Sequence, residues 1–110
     1  MELTEREKAL EEKYIFDFER SLRVRERRDR LLAGWAAHAL DRADATAYAQ
    51  EVAGAGRAEA GDDDVLRKIL RDFETAGIAA TREELQEKMR ALLFVAAEQL
   101  DAESKTEGAR

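Results

Sequence analysis

The stretch TEREKALEEKYIFDFERSLRVRERRDRLLAGW, residues 4–35, decides the fold of this chain. It contains no proline, its first glycine is Gly34, and Thr4 followed by Glu7 is the capping-box pattern that opens helices. The stretch therefore predicts one long helix. We expect this helix to be well ordered from about Ser21 onward and loosely held before it, because so small a domain offers its polar beginning little to pack against.

Charge is sorted along this predicted helix. Residues 1–19 carry seven acids against three bases, a net charge of −4, whereas residues 20–30 carry six arginines against two acids, a net charge of +4. Burial in a small core does not stabilise such a charge-dense beginning. We therefore expect a partner outside the chain to hold residues 1–19.

The composition indicates a single all-α domain. The 110 residues include no proline and six glycines, and 40% of them are charged, against about a quarter in an average protein. The absence of cysteine excludes disulfides, thiolate metal sites and a cysteine nucleophile. The net charge of −6 argues against non-specific binding of the whole chain to nucleic acid. Because no signal-peptide core and no run of about 18 apolar residues is present, we expect a soluble, cytoplasmic chain.

Two further helical segments follow the first one. The second segment, at about residues 43–60, has a thin apolar face and contains Gly54 and Gly56, each of which costs roughly 1 kcal/mol relative to alanine. The third segment begins at the acidic run 62–64, which supplies an N-cap and acids that favour the positive end of the helix dipole. It is predicted to end at Gly77, in the position that helix-terminating glycines prefer.

The fourth segment has the strongest apolar stripe and begins with a second capping box, Thr81 with Glu84. Short connections between amphipathic helices favour antiparallel packing, so we predict an all-α four-helix bundle with a long, partly flexible N-terminal helix. We expect Trp35 and Leu92 to be buried in its core. The predicted divisions of the chain are a flexible N-terminal arm at 1–19, the bundle at 20–102 and a disordered tail at 103–110.

The residues do not indicate a catalytic or cofactor site. His38 is the only histidine, so no Ser/His/Asp set and no two-histidine metal set is possible, and its place near the end of the first helix suits a cation at the negative end of the dipole. The sequence Gly54-Ala55-Gly56 lacks the preceding strand and following lysine of a phosphate loop. The acidic run 62–64 could hold a weakly bound divalent ion, but helix capping explains it without one. We predict a protein that is not an enzyme and uses no cofactor.

The arginine run between residues 20 and 30 has two interpretations. On a helix, four of its members form a single stripe, namely Arg20, Arg23, Arg27 and Arg30. This stripe could bind nucleic acid, but the aromatic residues and basic total charge typical of nucleic-acid binders are missing. We favour intramolecular pairing with acids of the third and fourth helices, and the predicted partners are Asp72, Glu74, Glu83, Glu84 and Glu87.

An aromatic cluster lies within the predicted arm. Tyr14 and Phe18 share one face of the helix, while Ile15 and Phe16 lie off that face. These are too many large apolar groups for an exposed helix unless some of them contact a partner or the bundle. The cluster therefore indicates a protein-binding surface.

Two blocks of the sequence resemble a known family. They are REKALEEKY at residues 6–14 and RRDRLLAGWAA at residues 27–37. These blocks are similar to the REKAFE-x-KF and ARRNKLLGLWAA patterns of the zeta subunits of alphaproteobacterial F-type ATP synthases. The resemblance continues to about Gln99, through AYAQEV at 47–52, DVLRK at 64–68 and an acid-rich helix that ends in KM at 78–89.

The resemblance implies a four-helix bundle that regulates an ATP synthase. Its N-terminal segment would insert into the catalytic head between the catalytic subunits and the central stalk, and block rotation in the direction of ATP hydrolysis. This role is similar to that of the mitochondrial ATPase inhibitor protein, and it implies a cytoplasmic protein at the inner membrane through ATP synthase, without membrane insertion. The candidate partner-binding residues are Leu3, Arg6, Glu7, Lys8, Leu10, Lys13, Tyr14 and Phe18.

The sequence departs from the family pattern at the aromatic cluster. Residues 15–19 read IFDFE where the family has AHDEE, and Asp29 replaces an asparagine. The first change makes the arm more apolar. Two alternatives to the regulatory role follow from the residues alone: a nucleic-acid-binding helical protein that uses the Arg20–Arg30 stripe, and a helical scaffold or homodimer built on the aromatic arm. A salt titration distinguishes the first alternative from the regulatory role, because nucleic-acid binding weakens steeply between low and moderate salt.

Overall fold

The computed structural model describes residues 4–58 and 62–108, which form four helices and no strand. These are α1 (Glu5–Ala39), α2 (Ala45–Ala58), α3 (Asp63–Thr75) and α4 (Arg82–Gly108). The predicted all-α, four-helix fold is confirmed. Trp35 of α1 lies beside Lys88 near the start of α4, whereas Arg20 lies beside Asp101 near its end, so these two helices run in opposite directions.

Both predicted threonine caps are present. The Thr4 side-chain oxygen accepts a hydrogen bond from the Glu7 backbone N–H at 3.2 Å, and Thr81 accepts one from Glu84 at 3.1 Å. Each bond satisfies a backbone donor that the first turn of a helix leaves without an intrahelical partner. These local patterns therefore fix where α1 and α4 begin.

The C-terminal ends of α3 and α1 differ in the residue that adopts the left-handed conformation. Gly77 follows α3 with a φ of 75°, as predicted, and Ile78 donates its N–H to the Phe73 carbonyl at 2.8 Å. Helix α1 ends in the same hydrogen-bond pattern, but there the left-handed residue is Asp41, with a φ of 57°. A side chain other than glycine is disfavoured in this conformation, so the Asp41 turn is strained.

The core lies between the C-terminal half of α1 and the other three helices. On α1 it is formed by Leu32 and by three alanines, Ala33, Ala36 and Ala37, whose small side chains leave room for the neighbouring helices. The remaining buried members are Tyr48, Val52, Val65, Leu66, Ile69, Phe73, Leu85 and Met89. These contacts hold the four helices as one unit.

The prediction that Trp35 and Leu92 are buried in the core is met only in part, since both pack against the core but are partly buried at its edge. Leu32 and Ala36 are fully buried and lie four residues apart on one face of α1. Trp35 precedes Ala36 by one residue, so it lies to the side of that face. Its ring leans on Phe73 with centroids 5.6 Å apart, and the Lys88 ammonium lies 5.2 Å from the ring centroid. Trp35 thus closes the side of the core rather than filling its centre.

The C-terminal region differs from the predicted disordered tail. Helix α4 continues past Ala102 to Gly108, so residues 103–108 are helical. Glu103 accepts two hydrogen bonds from the Arg27 guanidinium, one of them at 3.0 Å. A charged side chain on α1 thus supports the extension, although the segment has no apolar face to bury.

Candidate functional site

The N-terminal part of α1 extends away from the core. Every residue from Thr4 to Glu19 is exposed, and Arg20 is the first that is partly buried. The 35 residues of α1 correspond to a rod about 52 Å long at 1.5 Å per residue. The longest dimension of the molecule is 59 Å. We call the exposed residues 4–19 the arm.

All the predicted partner-binding residues that the structure describes lie on this arm, while Leu3 lies outside the described residues. Leu10, Tyr14 and Phe18 follow one another at intervals of four residues and form an apolar stripe along one side. Tyr14 is 74% exposed. The charged members of the predicted site are also exposed, and they are Arg6, Glu7, Lys8 and Lys13.

The aromatic cluster places apolar groups on more than one side of the arm. Phe16 is two residues beyond Tyr14, about 200° around the helix at 100° per residue. Phe18 is two residues beyond Phe16 and lies across the helix from it by the same rotation, whereas Ile15 is about 100° from Phe16. All four side chains are exposed, so the arm offers apolar surface in opposite directions.

Four of the six arginines that follow the arm pair with acids of the same chain, as predicted for the run, but with different partners. Arg20 pairs with Asp101 at 2.6 Å, and Arg27 pairs with Glu103. Arg25 and Arg28 both bind Asp62. The predicted partners were wrong in these four cases. Helix α4 lies against Arg20 and Arg27 with its C-terminal half, and Arg25 and Arg28 bind the residue that precedes α3.

Asp72, a predicted partner of the arginine run, has other partners in the structure. Its carboxylate accepts the Tyr48 hydroxyl at 2.8 Å and pairs with Lys68 at 2.9 Å, so it belongs to the α2–α3 contact. Two cations lie close to the Tyr48 ring, the Arg42 guanidinium 4.7 Å and the Lys68 ammonium 5.5 Å from its centroid. Burial, with the bond to Asp72, raises the pKa of the Tyr48 hydroxyl well above its ordinary value.

Arg28 is the residue that the sequence analysis missed, because it is only 5% exposed. Its guanidinium donates to Asp29 at 2.8 and 3.0 Å and to Asp62 at 2.8 and 3.2 Å, and so connects α1 to the start of α3. The bond from Arg28 holds the pKa of Asp62 below its ordinary value, whereas burial raises the pKa of Asp29. Arg28 precedes Leu32 by four residues, and this spacing was the signal that it lies on the core side.

Asp62 occupies the predicted N-cap position of α3 but does not act as a side-chain cap. Its own backbone is helical, and its carboxylate makes no capping hydrogen bond. The reason is that both carboxylate oxygens bind the guanidinium of Arg28. Asp62 is therefore a tether between α1 and the start of α3 rather than a cap.

A comparison with protein families decides what this arrangement belongs to. The family model described as ATPase inhibitor subunit zeta matches residues 1–99, which include the arm and most of the bundle. The chain belongs to this family. No match was found among curated proteins.

Membership of the zeta family agrees with a regulatory protein rather than an enzyme. Within residues 4–58 and 62–108, no group of three or more histidine, aspartate or glutamate side chains is placed to hold a metal ion. No helix in that part of this zeta-family chain combines the length and apolar character needed to span a membrane.

Proposed function

We propose that this zeta-family chain inhibits ATP hydrolysis by an F-type ATP synthase, by inserting its arm into the catalytic head and blocking rotation. The observation that carries the proposal is an exposed helix with Leu10, Tyr14 and Phe18 at intervals of four residues. Exposed apolar side chains at this spacing are what a helix uses to bind in a groove of another protein.

The apolar and the charged side chains of the arm have different roles in this proposal. Leu10 and Tyr14 are the proposed anchors, because large apolar groups buried at the centre of an interface contribute most of the binding free energy. The surrounding charges of Arg6, Lys8 and Lys13 contribute mainly to orientation and to the rate of association. Phe16, on the far side of the helix, suits an arm that is enclosed on opposite sides, as it would be between the catalytic subunits and the central stalk.

The bundle holds the arm rather than blocking the enzyme. Helix α1 is continuous from Glu5 to Ala39, so α2, α3 and α4 fix the direction of the arm through the half of α1 that they bury. Inhibition should depend on the direction of rotation, since rotation in the synthesis direction would push the arm out. The proposed location is the cytoplasmic side of the inner membrane, through the ATP synthase.

Deletion of residues 1–19 tests the proposal directly. The truncated chain should lose inhibition of ATP hydrolysis by the cognate ATPase, while its helical circular dichroism signal per residue and its melting temperature stay close to those of the full chain. If the truncated chain inhibits as well as the full chain, the arm is not the inhibitor.

A finer test changes only the two anchors. The double substitution Leu10→Ala with Tyr14→Ala should weaken inhibition at least several-fold, and ATP synthesis should change less than hydrolysis. Val95→Ala is the matched control, since it trims an exposed apolar side chain of α4 outside the arm and should leave inhibition unchanged. Equal loss in the control and the double variant would contradict an arm-specific site.

A further inference from the structure

A second apolar surface lies on the bundle at the point where the arm leaves it. An open groove of about 520 Å³ runs between α1 and α4, and its apolar walls are formed by Val24, Leu93, Phe94 and Ala97. Phe94 is 66% exposed, the highest exposure of any large apolar side chain outside the arm in the described part of the chain. Neither the fold nor the proposed insertion of the arm gives this groove an occupant.

The groove and the arm stripe lie on the same side of α1. Leu10 and Tyr14 are followed on this side by four of the six α1 residues that line the groove, namely Asp17, Ser21, Val24 and Arg28. The successive intervals are four, three, four, three and four residues, the spacing by which one helix packs along another in a coiled coil. We call this row of residues, from Leu10 to Arg28, the seam. The N-terminal half of the seam is an exposed ridge, and its C-terminal half is the floor of the groove.

A seam of this kind is complementary to itself when two copies lie antiparallel. With Asp17 at the centre, Leu10 of each copy comes to the height of Val24 of the other, beside Leu93 and Phe94. A contact related by a two-fold axis uses the same patch of both copies, so each arm enters the groove of the other.

Charge favours the same arrangement. With Asp17 at the centre, antiparallel packing places residues 4–14 against residues 20–30 of the other copy. Residues 4–14 carry four acids and three bases, a net charge of −1, and residues 20–30 carry a net charge of +4. Two arginines at the groove remain accessible despite their internal pairs, since the side chains of Arg20 and Arg25 are 36% and 46% exposed. A second copy of this chain is therefore the occupant that fits both the apolar and the charged parts of the groove.

We propose that the chain forms a two-fold symmetric homodimer in which the arm of each copy lies in the α1–α4 groove of the other. A stable interface buries about 800 Å² on each partner, and here each copy contributes both an arm and a groove. The dimer covers Leu10 and Tyr14, so it stores the arm in a form that cannot insert into the ATPase. This consequence for inhibition rests on the proposed function, whereas the dimer itself does not.

The oligomeric state of the full chain tests the dimer. Sedimentation equilibrium from low micromolar to high micromolar concentration should show the mass rising from one 12.4 kDa chain toward twice that value. Phe94→Asp, at an exposed position that folding does not need, should weaken dimerisation at least ten-fold. Phe16→Ser is the matched control, because Phe16 is also an exposed phenylalanine but lies about 120° around α1 from the seam, and it should leave dimerisation unchanged.

A distance measurement distinguishes this dimer from other ones. Because the chain has no cysteine, Lys13→Cys carries a single nitroxide label, and the labelled chain is mixed with an unlabelled, ¹⁵N-enriched chain. The label should broaden the amide signals of Leu93, Phe94 and Ala97 in the other copy. A dimer without this broadening, or a chain that stays monomeric at every concentration, overturns the proposal.

Inhibition assays separate the two proposals from each other. Phe94→Asp should inhibit ATP hydrolysis as well as the unchanged chain at low concentration and better at high concentration, because its arm stays free. If the chain is monomeric and Phe94→Asp weakens inhibition, the groove contacts the ATPase and the dimer is overturned. If the chain dimerises but deletion of residues 1–19 leaves inhibition intact, the dimer stands and the proposed function fails.

Discussion

At the scale of single residues, local patterns were predictable and long-range partners were not. The Thr4 and Thr81 caps and the Gly77 end depend on neighbours within a few residues, so sequence spacing was enough to find them. The partner of Arg28 could not be predicted, because Asp62 is 34 residues away and its position depends on how α3 packs on α1. The Asp41 turn was missed because Asp is an uncommon choice for the left-handed conformation.

Asp41→Gly should stabilise the protein by about 1 kcal/mol. Glycine adopts a φ near 57° without a steric penalty, and the change also removes an acid from the negative end of the α1 dipole. Thermal unfolding should show an increase in the melting temperature of a few degrees. Gly77→Ala is the opposite control: its added Cβ has no neighbour within 4 Å, so a loss of similar size would report the φ of 75° alone.

The tether between Arg28 and Asp62 should contribute to stability in a pH-dependent way. Because the pKa of Asp62 is lowered in the folded state, its contribution is fully present above its unfolded pKa of about 3.9 and is lost as the pH falls through the folded value. Asp62→Asn should therefore be less stable than the unchanged chain at pH 7, and this difference should shrink below about pH 4. Urea unfolding at both pH values measures it, and a difference independent of pH would contradict the tether.

Arg28→Ala should destabilise the bundle by roughly 1.5–3 kcal/mol, since it removes hydrogen bonds to charged groups from a buried side chain. It also leaves the half-buried Asp29 without its cation, and Asp29 already has a raised pKa. Arg25→Ala is a suitable control, because its pair with Asp62 is solvent-exposed and should contribute less than about 1 kcal/mol. Equal losses in the two variants would show that burial of Arg28 adds nothing.

At the scale of elements, the four helices followed from their apolar spacing, but the degree of burial did not. Leu32 and Trp35 are both apolar residues of α1, yet only Leu32 is fully buried, because burial depends on which side α2 and α4 occupy. The extension of α4 past Ala102 was missed for a related reason. Its support is an ion pair with Arg27, which an apolar pattern does not record.

The arm should be the least stable part of α1. In the monomer at low concentration, the backbone amides of residues 5–18 should exchange with solvent rapidly, whereas those of Leu32 and Phe73 should exchange only by global unfolding, because they belong to the core. Hydrogen exchange followed by NMR measures both groups in one sample. Slow exchange from Glu5 onward would show that the arm is packed, and would remove the physical reason for an outside partner.

At the scale of the whole molecule, the sequence was sufficient for the fold and the family but not for the second surface. The exposed stripe of the arm could be predicted because α1 has too many apolar residues before Arg20 for a small core. The groove could not, since it exists only where α1 and α4 come together. Its wall residues Leu93 and Phe94 lie in the sequence between the buried Met89 and Ala96, so an apolar pattern does not separate them from the core.

The unbroken path of α1 from arm to core also sets the rotational phase between the two. One alanine inserted after Glu19 would turn the arm by about 100° relative to the bundle and advance it by about 1.5 Å, without altering a single contact within either part. Inhibition should fall after this insertion. It should recover in part when seven residues are inserted, since two turns nearly restore the original phase. If every insertion were tolerated equally, the helix would have a hinge at Glu19. The bundle would then not determine the rotational orientation of the arm.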